Sequence, residues 1–223
     1  MTKLVNESIG KLRNGKKLED YDVVYDLDGT KIDMVKLLDD QQRAKAALVH
    51  IMPFFNAFVN KLKFVYTFQV ETQATDGIYL FVNPRFTSEL DLTGKVFVMA
   101  HEIMHCVLNH MRRGKAHDRW KSNIAADYEV NDTLVEMGLF KESHISKIGG
   151  LYDKKYTDWG YEKIYDSNPS GPQNQSMQNK GGQSQQGQSG SGGGSGQSSP
   201  KSADWKAGWK QAIEDYKNGK LKL

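Results

Sequence analysis

The sequence predicts an α+β fold in which helices pack on a small β-sheet or hairpin, and three observations carry that prediction. An apolar run without Pro or Gly, Val96 to Leu108, holds the motif His101-Glu102-Ile103-Met104-His105. Two stretches just before it, residues 64–72 and 78–82, are rich in β-branched and aromatic residues and are bounded by turn residues. Apolar residues at spacings of three and four surround this segment on both sides.

Residues 1–30 are polar and punctuated by Gly10, Gly15 and Gly29, and a loose N-terminal region is expected there. From Asp33 the pattern turns helical, with Met34, Leu37, Leu38, Ala44, Ala47, Leu48 and Ile51 on one stripe. Pro53 interrupts it, and Phe54, Phe55, Phe58 and Leu62 suggest a second helix whose aromatics enter the core. Residues 64–72 read as a strand, Gln73 to Gly77 as a turn, and Ile78, Tyr79, Leu80, Phe81 and Val82 as the returning strand of a hairpin. Those five residues are the expected substrate-binding edge, where an extended peptide adds a strand. Thr93 is the expected N-cap of the motif helix, which runs to about Arg113 and stops at Gly114. A further helix opens at Asp118 or Ser122 and ends at Gly138. Tyr152, Tyr156, Trp159, Tyr161 and Tyr165 are expected to wrap over the domain, which spans 31–166.

Beyond it, residues 167–202 are mostly Gly, Ser and Gln. Such a composition buries too little surface to offset the entropy of ordering, so a disordered linker is expected. Residues 203–223 resume an amphipathic helical pattern with Trp205 and Trp209 on one stripe, a possible docking element for a protein partner.

Composition excludes several classes. The net charge of +3 is small and scattered, so no basic stripe for nucleic acid forms. No apolar run is long enough to span a membrane or to serve as a signal peptide. A single cysteine, Cys106, excludes an internal disulfide framework and reads as a small buried side chain on the motif helix. A cytoplasmic location is the expectation.

On a helix, residues four apart share a face, so His101 and His105 can ligate one metal ion while Glu102 beside them serves as general base. Hydrolytic zinc sites use three protein ligands and keep a position for water, so zinc is the expected cofactor. Asp127, on the next helix, is the favoured third ligand, since helix, bend and returning helix is how gluzincin-type peptidases bring a carboxylate to their metal. Small Ala125 and Ala126 beside it would permit close packing, and Asn131, one turn on, is placed to support a ligand histidine. His110 is the alternative ligand, but on an unbroken helix it lies about 140° around from His105.

Pro53-Phe54-Phe55, Thr75-Asp76-Gly77, Val82-Asn83-Pro84, the His101 to His105 motif, His110, Arg112-Arg113, Ala125-Ala126-Asp127 and Val130-Asn131 together resemble the putative metallopeptidase domain of bacteria and phages. That domain usually precedes a von Willebrand A-like domain. Over about residues 40–166 the resemblance implies a zincin-like fold and a zinc-dependent peptidase acting on peptide or protein. The alternative is a non-catalytic zinc-binding module that docks through its C-terminal aromatic helix.

Overall fold

A computed structural model describes residues 15–169, and those up to Asn168 form one unit. Most of the expected linker and all of the helix carrying Trp205 and Trp209 lie outside the described residues. The fold is α+β, with two small sheets set among helices. The described part of the stretch expected to be loose contains a short antiparallel hairpin, β1 (Val23–Tyr25) with β2 (Lys31–Asp33), which buries Val24 and Ile32.

α1 (Met34–Ile51) starts where the pattern predicts. The Asp33 side chain accepts from Lys36 N at 2.9 Å and caps the first turn. Pro53 opens a turn of 3-10 helix, Pro53–Phe55, that continues into the single turn of α2 (Asn56–Val59). Of the four apolar residues expected in the core there, Phe55 and Leu62 are buried while Phe54 and Phe58 are half-buried.

The sheet differs from the expected hairpin. Its strands are β3 (Lys63–Tyr66), β4 (Gln73–Thr75) and β5 (Tyr79–Val82), in the order β3-β5-β4. β3 runs parallel to β5, with Lys63 opposite Tyr79 and Tyr66 opposite Val82. β4, expected to be turn, is the antiparallel partner of β5. The first strand is short because the Thr67 hydroxyl accepts from Gln69 N at 3.1 Å and turns the chain out of extension. The tight turn sits at Asp76-Gly77, where Asp76 Oδ1 accepts from Ile78 N and Tyr79 N and Gly77 adopts φ +90°. β5 is therefore central, hydrogen-bonded along both edges. It cannot take up another strand, and Leu80 and Val82 are fully buried in the core. The edge role expected of Ile78 to Val82 is corrected: an added strand would have to pair with β3 or β4.

α3 (Pro84–Glu89) is capped by Asn83 and leads into α4 (Leu92–Val107). The N-cap of α4 is Asp91, whose carboxylate accepts from Gly94 N at 2.7 Å, two residues earlier than the expected Thr93. α4 is buried nearly all round, against α1 on one side and α6 (Arg119–Glu136) on another. Even Lys95 is 3 % exposed, its ammonium held by Asp40 Oδ2 at 3.0 Å and Leu90 O at 2.7 Å.

The helix expected to reach Arg113 ends at Val107. Asn109 takes a left-handed conformation, φ 56°, ψ 37°, and a separate turn, α5 (His110–Arg113), follows. Asn tolerates that conformation better than most residues and commonly closes helices. Gly114 is not the stop of the motif helix; it gives room, since a Cβ there would lie 2.4 Å from Ser122 Oγ. α6 is capped by Asp118, the first of the two expected starts, rather than by Ser122, and is followed by Gly138 at φ +68°. Past α7 (Glu142–Lys147), the chain returns through α8 (Tyr161–Asp166). Tyr156, Tyr161 and Ile164 close over Ala125 and Ala126, with Tyr128, Trp159 and Tyr165 packed against this cluster.

Candidate metal centre

α4 and α6 lie side by side and turn one short stretch of each toward the other. His101 and His105, one turn apart on α4, present Nε2 atoms 3.0 Å from each other. Asp127 on α6 completes the group, its Oδ1 at 3.5 Å from His101 Nε2 and 3.3 Å from His105 Nε2. Among the described residues this is the group of His, Cys, Asp and Glu side chains able to hold a metal ion, with donor atoms all within 4.8 Å of one another. A tetrahedral ion with ligands at about 2.0–2.1 Å needs donor atoms about 3.3 Å apart, so two imidazole nitrogens and one carboxylate oxygen at these separations fit the ion in kind and spacing. Of the three side chains Asp127 is the most exposed, at 23 %.

The charges of the three groups are mutually adjusted. Burial disfavours the charged form of His101, but the Asp127 carboxylate outweighs it and carries the imidazole up to about 9. Burial dominates at His105, which is lowered. Asp127 is pulled well below the usual carboxylate range: its burial is overcome by the two imidazoles it faces. Glu102, also buried, is pushed up to about 7 by loss of solvent. Among the described residues no donor reaches its carboxylate, so its oxygens are not committed to a structural bond.

Each histidine is gripped from behind. His101 Nδ1 meets Asn131 Oδ1 at 2.9 Å, and Asn131 Nδ2 donates to Leu151 O at 2.7 Å. A carbonyl can only accept, so the amide orientation is fixed and His101 donates from Nδ1; in the neutral ring that leaves Nε2 as the lone pair. His105 Nδ1 meets His110 Nδ1 at 3.0 Å, and His110 Nε2 lies 2.7 Å from Glu129 Oε2. His110 is thus brought close by the break at Asn109, yet it stands behind His105 rather than beside Asp127. That geometry sets aside the alternative ligand role. Burial pushes His110 down to about 4 despite the neighbouring carboxylate.

Two residues here have a role that the motifs did not assign, Glu129 and the Arg113 of the Arg112-Arg113 pair. Glu129 is fully buried and held below its usual range, its desolvation overcome by hydrogen bonds from His110 and the Arg113 charge. Arg113 donates to Glu129 Oε2 at 2.8 Å and to Glu162 Oε2 at 2.7 Å. The available signal was helical spacing: Glu129 falls three and four residues after Ala126 and Ala125, a charge on an otherwise small, apolar face.

Cys106, following His105, is half-buried rather than fully enclosed, its thiol raised by burial and 3.6 Å from Thr75 Oγ1. It contributes to a cavity of about 640 Å³ whose apolar wall is Phe58, Leu62, Ile78 and Met111 and whose cations are Lys61, Arg112 and Lys115. Of the five residues expected to bind substrate, Ile78 is the one that lines it.

Two packed helices bring together a His pair and a carboxylate beside a buried glutamate, the residue types that metal-dependent hydrolases use. The chain matches the putative metallopeptidase domain family over residues 37–222 and belongs to that family. No curated protein and no solved structure matches it. Among the described residues no helix is long and apolar enough to cross a membrane.

Proposed function

We propose that this chain is a zinc-dependent peptidase of zincin-like design, with His101, His105 and Asp127 as metal ligands and Glu102 as general base. The observation that carries the reading is the convergence of three donors of the right kind and spacing on a point beside an uncommitted glutamate. When bound, the ion supplies a Lewis acid that polarises a carbonyl and makes water more acidic. Glu102 takes the proton from the attacking water and passes it to the leaving amine.

Substrate is held in extended form against β4. The pair Thr72 and Asn83 is hydrogen-bonded, Asn83 N to Thr72 O at 2.9 Å, and Ala74 faces Phe81 two residues on. By antiparallel alternation the backbone groups of Gln73 and Thr75 point away from β5, toward an incoming strand. Thr75 touches Cys106 of α4, which brings this edge to the motif helix. The cavity beyond Asp76-Gly77 then receives an apolar side chain flanked by acidic ones, because its three cations outnumber the single carboxylate of Asp76.

The test is metal analysis of the purified full chain beside cleavage of an unfolded polypeptide. Stoichiometric zinc is expected, and Glu102→Gln should keep the zinc while losing about 10²–10⁴-fold in cleavage rate. A folded, chelator-free preparation without zinc, or cleavage unchanged by Glu102→Gln, would overturn the proposal.

A further inference from the structure

We infer that His110, Glu129 and Arg113 are positioning residues that fix the proton of His105 on Nδ1 and keep its Nε2 available to a metal ion, a role that rests on the metal-site reading above. The relay is directed from its outer end, where Arg113 cannot accept a hydrogen bond. Arg113 is a donor at every nitrogen, so its contacts to Glu129 Oε2 at 2.8 Å and to Leu108 O at 3.1 Å have one direction each. Paired with that guanidinium, Glu129 is an ionised acceptor, and its 2.7 Å contact is a bond donated by His110 Nε2. A neutral imidazole with its proton on Nε2 has its lone pair on Nδ1. The nitrogen 3.0 Å away, His105 Nδ1, must therefore be the donor. The remaining nitrogen of His105, Nε2, is left as the lone pair that faces Asp127 and His101.

The other tautomer would put a proton on His105 Nε2, against the metal. In bulk water the two tautomers differ little, so the relay removes a competing form of the ligand and locks the ring plane as well. The contacts come from three elements. α4 supplies His105, α5 supplies His110 and Arg113, and α6 supplies Glu129. His110 reaches its place through the left-handed residue Asn109, because an unbroken helix would carry it about 140° away. The contact from Arg113 to Leu108 O is made with the carbonyl just before that break. His110 has no nitrogen left for a metal, since one is spent on His105 and the other on Glu129.

The experiment uses the full chain in two states. In the metal-free protein, long-range ¹H–¹⁵N spectra of the imidazoles read the tautomer of His105, and the Nδ1–H form is expected. Zinc affinity is then measured by competition with a chelator of known strength. His110→Phe keeps a ring but removes the acceptor, and it should lose the Nδ1–H signature and weaken zinc binding about 10–100-fold. His110→Asn sets an amide oxygen near the position of Nδ1 and should bind zinc close to wild type. Urea unfolding of each metal-free variant monitors the fold; should His110→Phe not fold, the wild-type tautomer and His110→Asn decide the matter. An Nε2–H tautomer in the wild-type protein, wild-type affinity in His110→Phe, or equal losses in His110→Asn and His110→Phe would each overturn the relay. An Nδ1–H signature in a wild-type chain that takes up no zinc would support the relay while overturning the metal reading.

Discussion

His101 and His105 offer equivalent nitrogens to the same point but are held by opposite kinds of chemistry. Behind His101 stands a neutral amide, Asn131, whose orientation is set by one backbone carbonyl, Leu151 O. Behind His105 stand a second imidazole, a buried carboxylate and a guanidinium that reaches out to half-exposed Glu162. The first support is short, uncharged and contributed mainly by α6. The second needs a buried charge, and burying Glu129 alone would cost several kcal/mol were Arg113 not bonded to it. A neutral support holds its histidine independently of pH, whereas a charged relay ties it to the ionisation of Glu129 and to α5 and α8.

That contrast can be broken from its shared centre outward. Asp127→Ala removes the carboxylate that both histidines face, and zinc affinity should fall by more than the 10–100-fold or so expected for any supporting residue, as read by chelator competition. Next come the supports themselves. Asn131→Leu and His110→Phe should each weaken zinc about 10–100-fold, and because they share no partner their effects should add within about 0.5 kcal/mol in a double-mutant cycle. Strong coupling between them would show that the two halves are one network. A smaller effect is expected at the break that admits His110. Asn109→Val forces a β-branched residue into the left-handed region and should cost about 1–2 kcal/mol in urea unfolding, whereas Asn109→Gly should cost much less.

The smallest effect should be the outer end of the relay. The Arg113 hydrogen bond lowers the Glu162 carboxyl below its ordinary 4.5, more than offsetting its desolvation. A depressed folded value means the contribution is present above pH 4.5 and is lost as pH falls through the lower folded value. Glu162 is half-exposed, so solvent screening limits the contribution to about 0.2–1 kcal/mol. Glu162→Gln should remove that acid-side slope in stability measured from pH 6 to pH 3, and Asn131→Leu should leave the slope in place.

How much could be read beforehand differs along the same line. The His101 side was legible: the motif sets two histidines one turn apart, Asp127 follows on a capped helix, and Asn131 lies one further turn along the same face. The His105 side was not. Its key is the conformation of Asn109, and nothing in Leu108-Asn109-His110 breaks a helical pattern that runs on to Arg113. The sheet shows the same limit. Alternation located β3 and β5, but it could not tell that their pairing is parallel, nor that polar Gln73 to Thr75 would form the antiparallel edge. Pairing direction depends on where the intervening chain turns, and here a side-chain hydroxyl, Thr67, turns it early.

By itself, then, the sequence determined that a helix carries the motif, that a second helix ending before Gly138 answers it, and that His101, His105 and Asp127 can come together. Those features are local, since spacing along one helix settles which side chains share a face. Tertiary structure alone decided that β5 is a central strand, that His110 stands behind His105, and that Glu129 and Arg113 belong to the site. The strand order and the Glu129–Arg113 pair follow from packing between elements distant in sequence, where a buried charge is tolerated only because another segment brings its partner, and the place of His110 follows from the left-handed Asn109.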